Sequence, residues 1–167
     1  MSGKKEVKTE RPYCAVVIVA AGSGTRMGGD KLMLELGGCT VIERTMLALE
    51  ACKCVDELVV VTQSEKIPTI AKMARERGIE KLKCVVEGGT DRTSSAYRGV
   101  CECSEKAELI GIHDGARPLV TEDIVERTVS AAAERGAAAP AVHVKDTVRQ
   151  ARGGRVLRTL ERDELYL

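Results

Sequence analysis

Residues Tyr13–Ala20 (YCAVVIVA) form an unbroken apolar run, rich in β-branched side chains, that ends against a glycine-bearing segment. A strand with one wet face alternates polar and apolar residues. A run with no polar position reads as a strand covered on both faces, and that requirement calls for helices above and below the sheet. The rest of the chain supplies them. Val41–Ala51 carries Ile42, Met46, Leu47 and Leu49 at helical spacing, and Glu57–Thr62 (ELVVVT) is a second buried strand. Lys66–Arg77 reads as a helix stopped by Gly78, Leu82–Val86 as a third strand closed by Gly88-Gly89, and Thr93–Cys103 as a helix after a Thr/Ser cluster. Glu108–His113 is a fourth strand. Thr121–Arg135 is a helix with Thr121 as N-cap, acids in its first turn and Gly136 past its end. Ala139–Val144 reads as a fifth strand. This alternation predicts an α/β architecture with a mostly parallel sheet and helices on both faces. Thr147–Ala151 and Arg155–Leu160, short and polar around Gly153-Gly154, predict a protruding β-hairpin arm at about 145–162. Residues 1–11 read as a solvated tail and 12–167 as one domain.

Composition narrows the function. The net charge of +1 across 167 residues argues against a nucleic-acid surface. Three Tyr, no Phe and no Trp leave no stacking platform for bases of a single strand. No apolar run is long enough for a membrane span. The lysines near the N-terminus are not followed by a signal-peptide core, so a cytoplasmic location is expected. The seven cysteines are odd in number and include no Cys-x-x-Cys. They read as reduced, small apolar residues, and Cys52/Cys54 with Cys101/Cys103 are poorly spaced for zinc.

In a parallel sheet of this kind, ligands bind beyond the carboxyl ends of the strands. The first loop there is Ala20-Ala21-Gly22-Ser23-Gly24-Thr25-Arg26-Met27, continuing to Lys31. It lacks the Gly-Lys-Ser/Thr of a Walker loop. As a dinucleotide fingerprint it lacks the third glycine, and the second strand lacks the expected terminal acid. What remains is glycine backbone able to approach phosphate oxygens, with Arg26 and Lys31 to neutralise charge on a triphosphate. The second loop, Gly88–Ser95, opens a helix with hydroxyls and amides suited to a polar base edge or an anion. The third, His113-Asp114-Gly115-Ala116-Arg117-Pro118, offers Asp114 to a metal ion or a ribose, or as a scaffold partner of Arg117. His113 and His143 read as structural. The fourth is Val144-Lys145-Asp146-Thr147, with Arg162 beyond the hairpin.

Taken together, Ala-Ala-Gly-Ser-Gly-Thr-Arg-Met, Gly-Gly-x-x-Arg-x-x-Ser (88–95), His-Asp-Gly-Ala-Arg-Pro (113–118) and Val-Lys-Asp-Thr (144–147) resemble the 2-C-methyl-D-erythritol 4-phosphate cytidylyltransferases over roughly 12–167. The resemblance implies a Rossmann-like nucleotidyltransferase fold. It implies in-line attack of a polyol phosphate on the α-phosphorus of CTP, with Mg²⁺ on the nucleotide phosphates. Arg26, Lys31 and Arg162 match the family's catalytic positions. Ala20, Ala21, Gly22, Gly24, Gly89, Thr90, Arg92, Ser95, Asp114 and Ala116 match positions around CTP. Thr147 and Arg162 match arm residues that hold the polyol phosphate. The arm implies a homodimer. Here the usual Pro-Lys-Gln is Asp30-Lys31-Leu32, after a shortened loop.

The family continues past the position of Leu167, with more sheet and a lysine that grips the substrate phosphate. The resemblance therefore implies a domain incomplete at its C-terminus, with an unpaired sheet edge and bare apolar positions. Two alternatives stand beside cytidylyl transfer to methylerythritol phosphate: transfer to ribitol 5-phosphate, and an inactive CTP-binding fragment.

Overall fold

The computed structural model describes residues 11–22 and 30–167. Gly24, Arg26 and most of the expected tail lie outside the described residues. Arg11, the last residue of that tail, is held by Asp56 through two hydrogen bonds of 2.6 Å and by the Lys53 carbonyl at 2.7 Å. The chain falls into two compact units, one ending at Ala137 and the other spanning Ala138–Leu167.

The first unit is built on strands β1 (Cys14–Val19), β2 (Glu57–Thr62), β3 (Leu82–Glu87) and β4 (Leu109–Asp114), all parallel, in the order β3-β2-β1-β4. Helices α1 (Val41–Ala51), α2 (Ile67–Glu76), α3 (Arg92–Cys101) and α4 (Glu122–Arg135) connect and flank them. The two uninterrupted apolar runs, β1 and β2, occupy the centre, and the more polar β3 and β4 take the edges. Because each parallel crossover is right-handed, helices lie on both faces. Val16, Ile18, Leu58 and Val60 point to one face, against Ile42, Met46 and Leu49 of α1 and Ile70 and Ala74 of α2. Val17, Val59 and Val61 point to the other, against Val100 of α3 and Cys103 just beyond it. Each such fully buried side chain contributes about 1.5–3 kcal/mol relative to exposure.

The edge formed by β4 pairs only with β1 among the described residues, and its Ile110 and Ile112 are each 40% exposed. Cys14 and Cys52 serve as core residues. Burial pushes both thiols up to about 11, so they stay protonated and inert at neutral pH. All seven cysteines are free.

Local signals set the helix ends. Thr40 and Glu43 form a reciprocal capping box on α1, and Glu43 also accepts from Arg77 at 3.0 Å. Burial pushes the Glu43 carboxyl up, but the bonds from Thr40 and Arg77 outweigh it and hold the group below its usual range. Asp91, rather than the Thr/Ser cluster itself, caps α3 by accepting from the Ser94 amide at 2.8 Å. Thr121 stands at the N-cap of α4 without a side-chain bond, leaving Glu122 and Asp123 to meet the helix's positive end. Gly136, at φ 86°, ends α4 as expected.

In the second unit, β5 (Arg149–Arg152) and β6 (Arg155–Thr159) form the expected antiparallel hairpin, with Gly153 and Gly154 at φ 55° and 76° in its turn. The fifth strand expected at Ala139–Val144 does not form. Pro140 removes a ladder donor from that run, and only its end finds a partner. Val142 and Leu167 exchange backbone bonds of 2.9 and 3.0 Å, and the Val144 amide donates to Leu165 at 3.0 Å.

Gly99 brings α3 close to the sheet, where an added Cβ would overlap Val17 and Val61. Gly99→Ala is expected to destabilise the protein by about 1–3 kcal/mol through overpacking, outweighing the gain of about 1 kcal/mol in helix propensity. Denaturant unfolding checks this, and a midpoint at or above that of the parent would show that α3 can move away without cost.

Candidate active site

The sheet ends level at its carboxyl edge, because Val19 is in register with Asp114, and Thr62 with Glu87. The loops that follow β1, β3 and β4 therefore emerge side by side. Between β1 and β4 the strand order reverses, and such a reversal opens a crevice for ligands.

The start of the first loop is fixed. The buried Ala20 donates its amide to the Val61 carbonyl at 2.7 Å. Ala21 and Gly22 come next, half-buried and exposed. The second loop packs directly on the first, since a Cβ on Gly88 would overlap the Ala21 methyl. Ala21, Thr62, Gln63, Glu87, Gly88 and Gly89 line a cleft there of about 270 Å³. Ser95 is buried, accepting from the Gly89 amide at 3.1 Å and donating to the Asp91 carbonyl at 2.7 Å. Its hydroxyl thus locks the glycine loop to the start of α3. The Thr90 side chain is exposed beside Asp91.

Asp114, at the end of β4, is gripped from two sides. One carboxylate oxygen accepts from Arg92 Nη2 and Nε at 3.0 and 3.2 Å, and the other from Arg117 Nε at 3.0 Å. Burial pushes the carboxyl up, but Arg117 and Arg92 outweigh it and hold Asp114 below the usual range. Arg92 therefore ties the second loop to the third, and Arg117 is the scaffold partner that the sequence offered as one of two readings. The Gly115 carbonyl accepts from the buried Thr45 hydroxyl of α1 at 2.8 Å, and the half-buried Ala116 packs on the core. Thr45 carried no signal in the sequence, since a threonine inside a helix is ordinarily neutral.

Lys31 is exposed in a short turn before α1. Its neighbour Asp30 pairs with Lys66 at 2.8 Å. Lys66 was read only as a helix start; it ends a 3₁₀ turn, Ser64–Lys66, that precedes α2. Thr147 and Arg162 belong to the second unit. There Arg162 donates to the Lys145 carbonyl at 3.2 Å and, with His143, Val144, Lys145 and Asp163, lines a cavity of about 460 Å³. His143 stacks on Tyr166 with ring centroids 4.2 Å apart.

A metal would find a sparse donor set. Asp114 supplies a carboxylate already engaged by two guanidinium groups. Among the described residues no three His, Cys, Asp or Glu side chains gather to cage an ion. Such a set fits a hard divalent ion held chiefly by a ligand's phosphates and by water, as magnesium commonly is.

A parallel sheet with order 3-2-1-4 and glycine-bearing loops at its carboxyl edge defines an α/β fold of the nucleotidyltransferase kind. The IspD family model, 2-C-methyl-D-erythritol 4-phosphate cytidylyltransferase, matches residues 14–167. The chain belongs to that family. A 2-C-methyl-D-erythritol 4-phosphate cytidylyltransferase of Pelotomaculum thermopropionicum is 41% identical over 157 residues, covering 92% of this chain and 66% of the relative. One from Alkaliphilus oremlandii is 37% identical over 156 residues, covering 91% and 66%. The structure of 4-diphosphocytidyl-2C-methyl-D-erythritol synthase from Anaerococcus prevotii superposes with a TM-score of 0.79 at 28% identity, covering 93% of this chain and 68% of that one. The chain spans about two thirds of the length of the curated relatives it matches. No helix among the described residues is long and apolar enough to cross a membrane.

His113 gives the site a pH dependence. Its Nδ1 is buried without a hydrogen-bond partner among the described residues, and burial lowers its pKa. Protonation thus favours the unfolded chain. The stability contributed by the neutral ring is fully present above the ordinary histidine value of about 6.5 and is lost as pH falls below it. The melting temperature of the parent is expected to fall between about pH 6.5 and 5, and that of His113→Gln to fall less. Parallel pH curves for the two proteins would contradict it.

Proposed function

We propose that this chain carries the CTP-binding half of an enzyme that transfers a cytidylyl group from CTP to 2-C-methyl-D-erythritol 4-phosphate. The product would feed isoprenoid precursor synthesis. The observation that carries this reading is the convergence of residues 20–22, 88–95 and 113–118 on one edge of the sheet, in a chain of this family.

The phosphate oxygen of the acceptor forms a bond to the α-phosphorus of CTP. The bond to the bridging oxygen breaks, and pyrophosphate leaves with the electron pair. Arg26 and Lys31 stabilise the charge that builds on the phosphorus and its oxygens. Ala20, Ala21, Gly22 and Gly24 are assigned to the triphosphate, with Ala20 anchoring the start of the segment through its amide. Gly89, Thr90 and Ser95 shape the cytosine pocket, where the buried Ser95 acts by holding the Gly89 loop in place. Asp114 and Ala116 lie on the ribose side, with Arg92 as the residue that orients Asp114. Thr147 and Arg162 hold the acceptor phosphate. Magnesium, when bound, neutralises the nucleotide phosphates and so favours departure of pyrophosphate. The hairpin arm serves a homodimer, and the enzyme works in the cytoplasm.

The decisive assay is pyrophosphate release from CTP, methylerythritol phosphate and Mg²⁺. Turnover with ribitol 5-phosphate alone would overturn the substrate, and CTP binding without turnover would identify an inactive fragment. Lys31→Ala is expected to lower turnover by roughly 10²–10³-fold. Turnover near the parent's would show that a different cation faces the phosphorus.

A further inference from the structure

We propose that the Asp30–Lys66 ion pair positions Lys31, which makes Lys66, from the connection between β2 and α2, a positioning residue for the transfer. The inference rests on the assignment of Lys31 to the reacting phosphorus.

Lys31 sits between two anchored residues. On one side, Asp30 divides its carboxylate: one oxygen meets Lys66 Nζ at 2.8 Å, and the other accepts from the Leu32 amide at 3.2 Å. Its carbonyl takes the Met33 amide at 3.0 Å, closing the turn. On the other side, Leu32 is buried at 4% exposure, and its carbonyl accepts from the Ile42 amide at 3.1 Å in the first turn of α1. The backbone of Lys31 is therefore strung between α1 and the connection after β2, while its own side chain is exposed.

The pair is not a loose surface contact. The Lys66 side chain is 18% exposed and the Asp30 side chain 30%, so solvent screens both only partly. A lysine covered to that degree needs a partner. Electrostatics give the pairing a second role. A carboxylate next to a lysine that serves a triphosphate would repel that ligand and draw the lysine to itself. Lys66 occupies the carboxylate and leaves Lys31 to the phosphates. The Ser64–Lys66 turn that presents Lys66 also supplies Ser64 to the cleft beside Gly88, so one connection borders the nucleotide cleft and holds the catalytic turn.

The test uses the full chain and a double-mutant cycle of Asp30→Asn and Lys66→Met, with Lys66→Arg as the conservative variant. Each single change is expected to lower kcat roughly 10–100-fold while leaving KM for CTP nearly unchanged, well below the melting temperature of each variant. The double variant should be no worse than the poorer single, and Lys66→Arg should recover most of the loss. Parent-level kcat in Lys66→Met, or losses that multiply in the double variant, would overturn the proposal. A parent that releases no pyrophosphate would overturn the proposed transfer by this chain instead. The clamp is then read from tryptic cleavage after Lys31, followed by mass spectrometry. Several-fold faster cleavage in both singles supports it, and an unchanged rate overturns it.

Discussion

The burial of β1 on both faces is the constraint from which the rest of the first unit follows. Val16 and Ile18 look to one layer and Val17 to the other, all of them almost fully buried. Neither face can be left to water, so the chain must send helices to both sides. With right-handed crossovers it does so by running β1 to β2 to β3 in one direction and then returning past β1 to β4. That return creates the reversal at β1 and β4. It also explains the glycine in α3: this helix packs over Val17 and Val61 on the second face, and Gly99 lets it come close to them. The crevice at the carboxyl edge is thus a by-product of covering the core, and the loops that fill it are where chemistry can be placed at little cost to the fold.

At that edge two loop aspartates meet cations and a third meets a helix cap. Asp114 is shared by Arg92 and Arg117, Asp30 is matched to Lys66, and Asp91 spends its carboxylate on the α3 cap. An anionic ligand approaching the loops therefore meets no unpaired carboxylate from these three residues. The pairings also connect segments far apart in sequence. Arg92 reaches from α3 to the end of β4, and Lys66 from the β2–α2 connection to the turn before α1. Mutual position of the loops is thereby set by side chains that need not touch a ligand themselves.

Much of this was legible in the sequence, because burial writes itself into runs of residue types. YCAVVIVA and ELVVVT declared two central strands, the helix after the first showed in its periodicity, and the helix after the second in its stop at Gly78. The hairpin was visible in Gly153-Gly154, both of which adopt positive φ. What misled was Ala139–Val144. Its apolar composition resembles a strand, but Pro140 denies it a ladder, and its end pairs with residues near Leu167 that no local pattern could reveal. The Thr/Ser cluster before α3 marked the helix start but not its cap, which Asp91 supplies by accepting the Ser94 amide. Long-range pairs were the least legible. Thr45 to Gly115 and Asp30 to Lys66 join residues whose types are ordinary and whose proximity exists only once the sheet is assembled.

The departure of Asp30-Lys31-Leu32 from the family's usual Pro-Lys-Gln gains a physical meaning from that last pair. A proline before the lysine would fix one backbone angle and supply no charge. An aspartate fixes nothing by itself, and beside a lysine proposed to serve phosphates it is electrostatically adverse. It becomes useful only when a cation from another connection holds it, as Lys66 does, and when its free oxygen and carbonyl close the turn onto Leu32 and Met33. Rigidity that proline would supply through the covalent backbone is here supplied by an ion pair and a buried leucine. The two solutions differ in one respect: the ionic one depends on a residue in a distant segment, so neither Asp30 nor Lys66 can change alone without exposing the lysine between them to a competing charge or a looser backbone.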